Sequence, residues 1–179
     1  MDKDSGLKWS IDIGHNCPPD TGAIKIKRED DLTKEIGELL ITKLEAKGVT
    51  IVRCLPSKSS SVKESLQCRC KIANDSKSDL YISIHFNAFN WNANGVEVFA
   101  ISPYGKNVAR NVVDEIAKLG YKNRGVKDGS HLYVIKNTSM PAILIECCFC
   151  DSKTDMLLYD AEKLSDAIVL GLFKSIKQA

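Results

Sequence analysis

Leu80-Tyr81-Ile82-Ser83-Ile84-His85 is a short apolar run that ends on a histidine. Trp9-Ser10-Ile11-Asp12-Ile13-Gly14-His15 and Pro141-Ala142-Ile143-Leu144-Ile145-Glu146 have the same form. Each reads as a β-strand carrying a metal-competent or acid-base side chain at its carboxyl end. In an α/β sheet, ligands gather where those ends meet the loops. Three such ends imply one shared cleft.

Outward from these runs, strands alternate with helices. Lys8–Ile13 is expected as a strand. Asp31–Lys47 follows as a helix, with Leu32, Ile36, Leu39, Leu40 and Leu44 at helical spacing and Gly48 as its stop. Val49–Cys54 is expected as a strand, Val62–Asn74 as a helix and Asp79–Ile84 as a strand. The Asn-rich run from Phe86 to Asn94 reads as a loop. Gly95–Ile101 then reads as a strand, Tyr104–Leu119 as a helix, and His131–Lys136 and Ala142–Glu146 as strands. Asp151–Lys177 is expected to be helical, in two pieces. This alternation predicts an α/β fold with a mixed, mostly parallel β-sheet flanked by helices on both faces. The mixed character is expected from antiparallel pairing of Gly95–Ile101 with Leu80–Ile84. With no repeat, linker or low-complexity tract, residues 1–179 are expected to form a single domain.

Bulk properties narrow the function classes. Hydrophobic residues make up 44% and charged residues 27%, as in an ordinary globular protein. A net charge of +2 gives no case for nucleic acid. No apolar stretch approaches the roughly 20 residues that span a bilayer. The start, Met1-Asp2-Lys3-Asp4-Ser5-Gly6, carries no signal-peptide core. The seven cysteines are odd in number, and Cys147, Cys148 and Cys150 lack the paired spacing of a structural zinc site, so they are expected to be reduced and buried.

The site chemistry starts from histidine. Only His15, His85 and His131 are present. His15 and His85 close strands, whereas His131 opens one and so falls at the far edge of a parallel sheet. A catalytic zinc ion takes three protein ligands and keeps one position open. The third ligand is expected to be a carboxylate near one of the first two motifs, and Glu29 lies just before the first long helix. Glu29, Asp30 and Asp31 all qualify, and the helix dipole alone favours acidic residues there. Glu146, in apolar surroundings, needs a nearby cation, and burial and metal together tune such a carboxyl for general acid-base work.

These residues resemble the zinc-dependent N-acetylmuramoyl-L-alanine amidases of the amidase 3 type. The first block resembles Asp12-Ile13-Gly14-His15, Thr21-Gly22-Ala23 and Glu29-Asp30-Asp31-Leu32. The second resembles Ser83-Ile84-His85-Phe86-Asn87-Ala88 and Gly95-Val96-Glu97-Val98-Phe99. The third resembles Arg124-Gly125-Val126-Lys127, Leu132-Tyr133-Val134-Ile135 and Pro141–Glu146. The blocks occur in family order over nearly the whole chain. The resemblance implies His15, Glu29 and His85 as ligands of one Zn2+ and Glu146 as the catalytic glutamate. It also implies peptidoglycan as substrate, with cleavage of the amide between N-acetylmuramic acid and L-alanine. Asn87 is expected to donate a hydrogen bond to substrate or to fix its loop.

Two departures stand out. Asn16 occupies the place of the family's glycine after the first histidine, and Cys147-Cys148 replaces glycine-phenylalanine after Glu146. Between Phe99 and Arg124 there is room for one helix, so no long helical insertion is expected over the metal. Work at the cell wall, as a phage endolysin or as a domain of a longer exported protein, and a monomeric state are expected. Three other readings compete. They are a zinc peptidase cutting within stem peptides, a non-catalytic peptidoglycan-binding domain, and a cysteine hydrolase using Cys147 or Cys148 with His85 or His131.

Overall fold

The computed structural model describes residues 6–176. Its elements, in chain order, are β1 (Lys8–Ile13), α1 (Glu29–Glu45), β2 (Thr50–Arg53), α2 (Val62–Ser76), β3 (Leu80–Asn87) and β4 (Val96–Ala100). There follow α3 (Pro103–Ala117), β5 (Asn123–Asp128), α4 (Tyr133–Asn137), β6 (Ala142–Phe149), α5 (Lys153–Leu158) and α6 (Ala161–Ile176). The six strands form one sheet in the order β2-β1-β3-β6-β4-β5. All neighbours run parallel except β4 and β6.

Alternation along each strand divides the core. Ile11, Ile13, Ile82, Ile84, Ile143 and Ile145 face the larger cluster, which they share with α1, α3 and α6. Tyr81, Ala142 and Leu144 face the smaller cluster beneath α2 and α4. Burying each such isoleucine is worth about 1.5–3 kcal/mol. Side chains at the polar ends of the helices fix where they begin. Ser61 accepts from the Glu64 amide at 3.1 Å, and Glu64 reaches back to the Ser60 amide at 2.6 Å. Ser102 accepts from the Gly105 amide at 3.0 Å, with Pro103 in the first turn of α3.

The expected architecture holds, with several corrections. The antiparallel neighbour of β4 is β6, not β3, with Glu97 opposite Glu146 and Phe99 opposite Leu144. Residues 133–137 are helical rather than extended, and Leu132 precedes that helix. Val134 and Ile135 are β-branched, but packing against the β6 face decides their conformation. Asn123–Asp128 is a strand that the sequence reading missed. Its residues are mostly polar because it lies at the edge of the sheet. β3 continues through Phe86 and Asn87, and β6 continues past Glu146 to Phe149. Glu29 is the first residue of α1, not a residue before it. The expected C-terminal pair of helices is present as α5 and α6, while Lys177 lies outside the described residues. The connection between β4 and β5 holds one helix, α3, packed with α6.

Candidate metal centre

His15 follows β1 by two residues. It and Asn16 both adopt left-handed backbone, at φ 57° and 58°. Such values are uncommon outside glycine, and asparagine is among the residues that tolerate them best. Asn16 therefore supports a turn where glycine would be the default residue. Its Nδ2 donates to the Gly14 carbonyl and to Thr33 Oγ1, both at 2.9 Å. Gly14 is required for a separate reason. A Cβ there would stand 2.5 Å from the His85 ring and from the Ile84 carbonyl oxygen.

The turn places His15 against His85, with ring centroids 4.8 Å apart and planes at 81°. Glu29 enters from the first turn of α1. Its Oε1 lies 3.3 Å from His15 Nε2 and 3.3 Å from His85 Nδ1, and it accepts from the Phe86 amide at 3.1 Å. Glu29 Oε2 accepts from the Ala23 amide at 2.9 Å. One donor atom from each of the three residues falls within 4.8 Å of the others. Among Glu29, Asp30 and Asp31, the geometry selects Glu29. Asp30 is turned away, pairing with Arg28 at 2.6 Å and accepting from the Gly22 amide at 2.9 Å.

Electrostatics point the same way. Burial by itself would lower the pKa of His15, yet Asp20 and Glu29 raise it to about 10. Burial would raise that of Glu29, yet the two histidines hold it well below the usual carboxylate range. Asp20 and Glu29 thus set a negative potential at the His15 ring that favours positive charge there, and the two histidines in turn stabilise the ionised Glu29.

His85 and Glu146 are register partners on adjacent parallel strands, so both side chains project towards the α2 and α4 side. Immediately beyond this pair the register slips. Asn87 pairs with Phe149, and β6 carries an extra residue over Glu146–Phe149. A bulge next to a site redirects side chains. Glu146 Oε2 is buried and has no hydrogen-bond partner among the described residues. Burial pushes the Glu146 carboxyl up to about 7, with Glu29 and Glu97 adding to the shift and His85 opposing it.

Sequence reasoning missed the supporting groups. Asp20 Oδ1 is 2.9 Å from His15 Nδ1, and its Oδ2 accepts from Ser65 Oγ at 2.7 Å. Arg69, 1% exposed, lies at the centre of this network. It donates to Asp12 Oδ1, to the Ile13 and His15 carbonyls and to Asp20 Oδ2. Tyr81 and Ser83 complete Asp12 at 2.6 and 2.8 Å. The available signals were Asp12 within an apolar strand and Arg69 between Leu66 and Cys70 on an apolar helical stripe. On the other wall, Asn87 Nδ2 donates to Glu97 Oε1 at 2.9 Å, and Arg124 Nε donates to Glu97 Oε2 at 2.8 Å. Of the two roles expected for Asn87, this bond serves the bracing one.

The remaining candidates stand apart. The His131 ring packs on Phe99 at 5.7 Å and is no part of the donor cluster. Cys147 and Cys148 are fully buried in the core, where burial holds both thiols far above their usual range. That withdraws them from thiolate chemistry.

Two imidazoles and a carboxylate at one end of a mostly parallel sheet, beside a glutamate with a buried carboxylate oxygen, form a donor set typical of a metallohydrolase. The model of the family described as N-acetylmuramoyl-L-alanine amidase matches residues 10–178, and the chain belongs to that family. An uncharacterized Clostridium perfringens protein, CPE1502, is 33% identical over 90% of this chain and 49% of its own length. The germination-specific N-acetylmuramoyl-L-alanine amidase of Bacillus subtilis is 30% identical over 96% of this chain and 79% of its own. The solved catalytic domain of the CD27L endolysin, which targets Clostridia Difficile, is 27% identical. It covers 94% of this chain and 97% of that one, with a TM-score of 0.86. The chain spans about half the length of the Clostridium perfringens relatives it matches. No described helix is long and apolar enough to cross a membrane.

Proposed function

We propose that this chain hydrolyses peptidoglycan at the amide bond between N-acetylmuramic acid and L-alanine of the stem peptide. The ligands of one zinc ion are His15 Nε2, His85 Nδ1 and Glu29 Oε1, and Glu146 is the general acid-base. The observation that carries the reading is the convergence of three donors from separate elements, with Glu146 in register beside one of them. The donor set of two imidazoles and one carboxylate suits zinc. When bound, zinc supplies Lewis acidity and makes water easier to deprotonate.

The residues of the chain account for the rest. Asp20 holds His15 by Nδ1 and leaves Nε2 for the metal. The Phe86 and Ala23 amides fix both oxygens of Glu29. Glu146, with its raised proton affinity, takes a proton from the attacking water and returns one to the leaving amide nitrogen. The pairing of Glu97 with Arg124 and Asn87 braces the wall next to it. The action is at the cell wall, in line with the family.

Zinc-loaded protein incubated with purified peptidoglycan is expected to release free stem peptides with new L-alanine amino termini, leaving the glycan intact. Chelator should stop the release and thiol alkylation should leave it unaffected. Muropeptide mass spectrometry showing cuts within the stem would identify a zinc peptidase instead. Sedimentation with the wall without any release would identify a binding module.

A further inference from the structure

The two histidines also wall a cavity of about 200 Å3 on the α2 and α4 side of the sheet. Val62 and Leu66 line it from the start of α2, Leu132 and Tyr133 from the start of α4, and Leu144 from β6. Asp12, Asp20 and Arg69 reach it as well, but their polar atoms are already committed. Arg69 bonds to Asp12, Asp20 and two carbonyls, while Tyr81, Ser83, Ser65 and His15 take up the other carboxylate oxygens. The cavity therefore offers a ligand mainly hydrocarbon surface, at the edge of the donor cluster.

We propose that this cavity is a specificity pocket, which takes an uncharged aliphatic substituent of the substrate next to the scissile amide. The inference rests on the metal-centre reading above. A charged group entering here would lose its water and meet mainly hydrocarbon, at a cost in binding. An aliphatic group would exchange water for Leu66, Leu132 and Leu144. The space exceeds what one methyl needs, since a water-sized group takes about 30 Å3. The pocket should therefore accept chains longer than the methyl of alanine or lactate.

Straight-chain alkyl hydroxamates test this by binding rather than turnover, because the hydroxamate head engages zinc and the tail probes the cavity. Calorimetry on the zinc-loaded protein should show affinity rising about fourfold for each added methylene until the space is full. A carboxylate-tipped tail of equal length should bind more weakly than the alkyl one. L66W narrows the cavity and should abolish the gain with chain length. V62F, at a half-exposed position that burdens folding less, should reduce it. A flat series, no hydroxamate binding at all, equal binding of the charged tail, or the full gain persisting in both variants would each overturn the proposal. Because hydroxamates are bound and not cut, the two readings fail separately. A rising series without wall digestion would sink the amidase reading alone, whereas normal digestion with a flat series would sink the pocket alone.

Discussion

Glu146 owes its character to position. A glutamate on an exposed strand would ionise near its ordinary value, but here burial lifts the carboxyl to about 7 and leaves Oε2 unpartnered. E146Q preserves the shape of the side chain and removes the titrating group. Turnover of muramoyl-peptide should fall by about 10²–10⁴-fold. The zinc content, read by atomic absorption, should stay near one per chain, and a variant that keeps full activity would exclude Glu146 as the proton carrier. Asp20 acts through His15, so D20A is expected to weaken zinc affinity by about 10–100-fold in chelator competition. Circular dichroism would confirm that the variant is folded. An unaltered affinity would leave Asp20 as a partner of Ser65 and Arg69 alone. Asp20 escapes a reading of the sequence because it sits in an irregular segment, where no periodicity ties it to the histidine five residues before it.

Helices and strands with a continuous apolar rhythm could be read directly. α1, α2 and α3 announce themselves through buried stripes, and β1, β3 and β6 through runs that pack between two layers. Two segments could not be read this way. β5 is polar along most of its length because edge strands face solvent, and α4 uses residues that favour strands when considered alone. Both conformations are imposed by neighbours absent from the local sequence. The docking of α3 on α6 is another tertiary feature. A Cβ on Gly171 would come within 2.5 Å of the Val112 Cα, so the two helices approach backbone to backbone. Near this contact Glu115 Oε1 receives Lys118 at 2.6 Å and also Lys174 of α6. These bonds hold the Glu115 carboxyl below its ordinary 4.5. A depressed carboxyl contributes stability that is present above the unfolded value and lost as pH falls through the folded one. The Tm difference between the wild type and E115Q should therefore be largest near neutrality and shrink below about pH 4.5. A difference that stays constant down to pH 3 would show that the lysines add nothing.

The whole sheet assembles the centre. β1, β3 and β6 run parallel and deliver His15, His85 and Glu146 to one edge, and α1 brings Glu29 from the opposite layer. Arg69 of α2 ties β1 and the segment after it together. Because the three donors belong to separate parts of the chain, an unfolded chain cannot present them together. Zinc should therefore raise Tm, with stabilisation of about 2.7 kcal/mol at a hundredfold excess over Kd. A melting temperature indifferent to both zinc and chelator would contradict a metal shared among those elements. The placement of the cysteines has a practical consequence. Six of the seven are buried and only Cys68, on α2, is partly accessible. A maleimide dye should attach at that one position, giving a singly labelled chain whose binding to and release from purified peptidoglycan can be followed under a microscope.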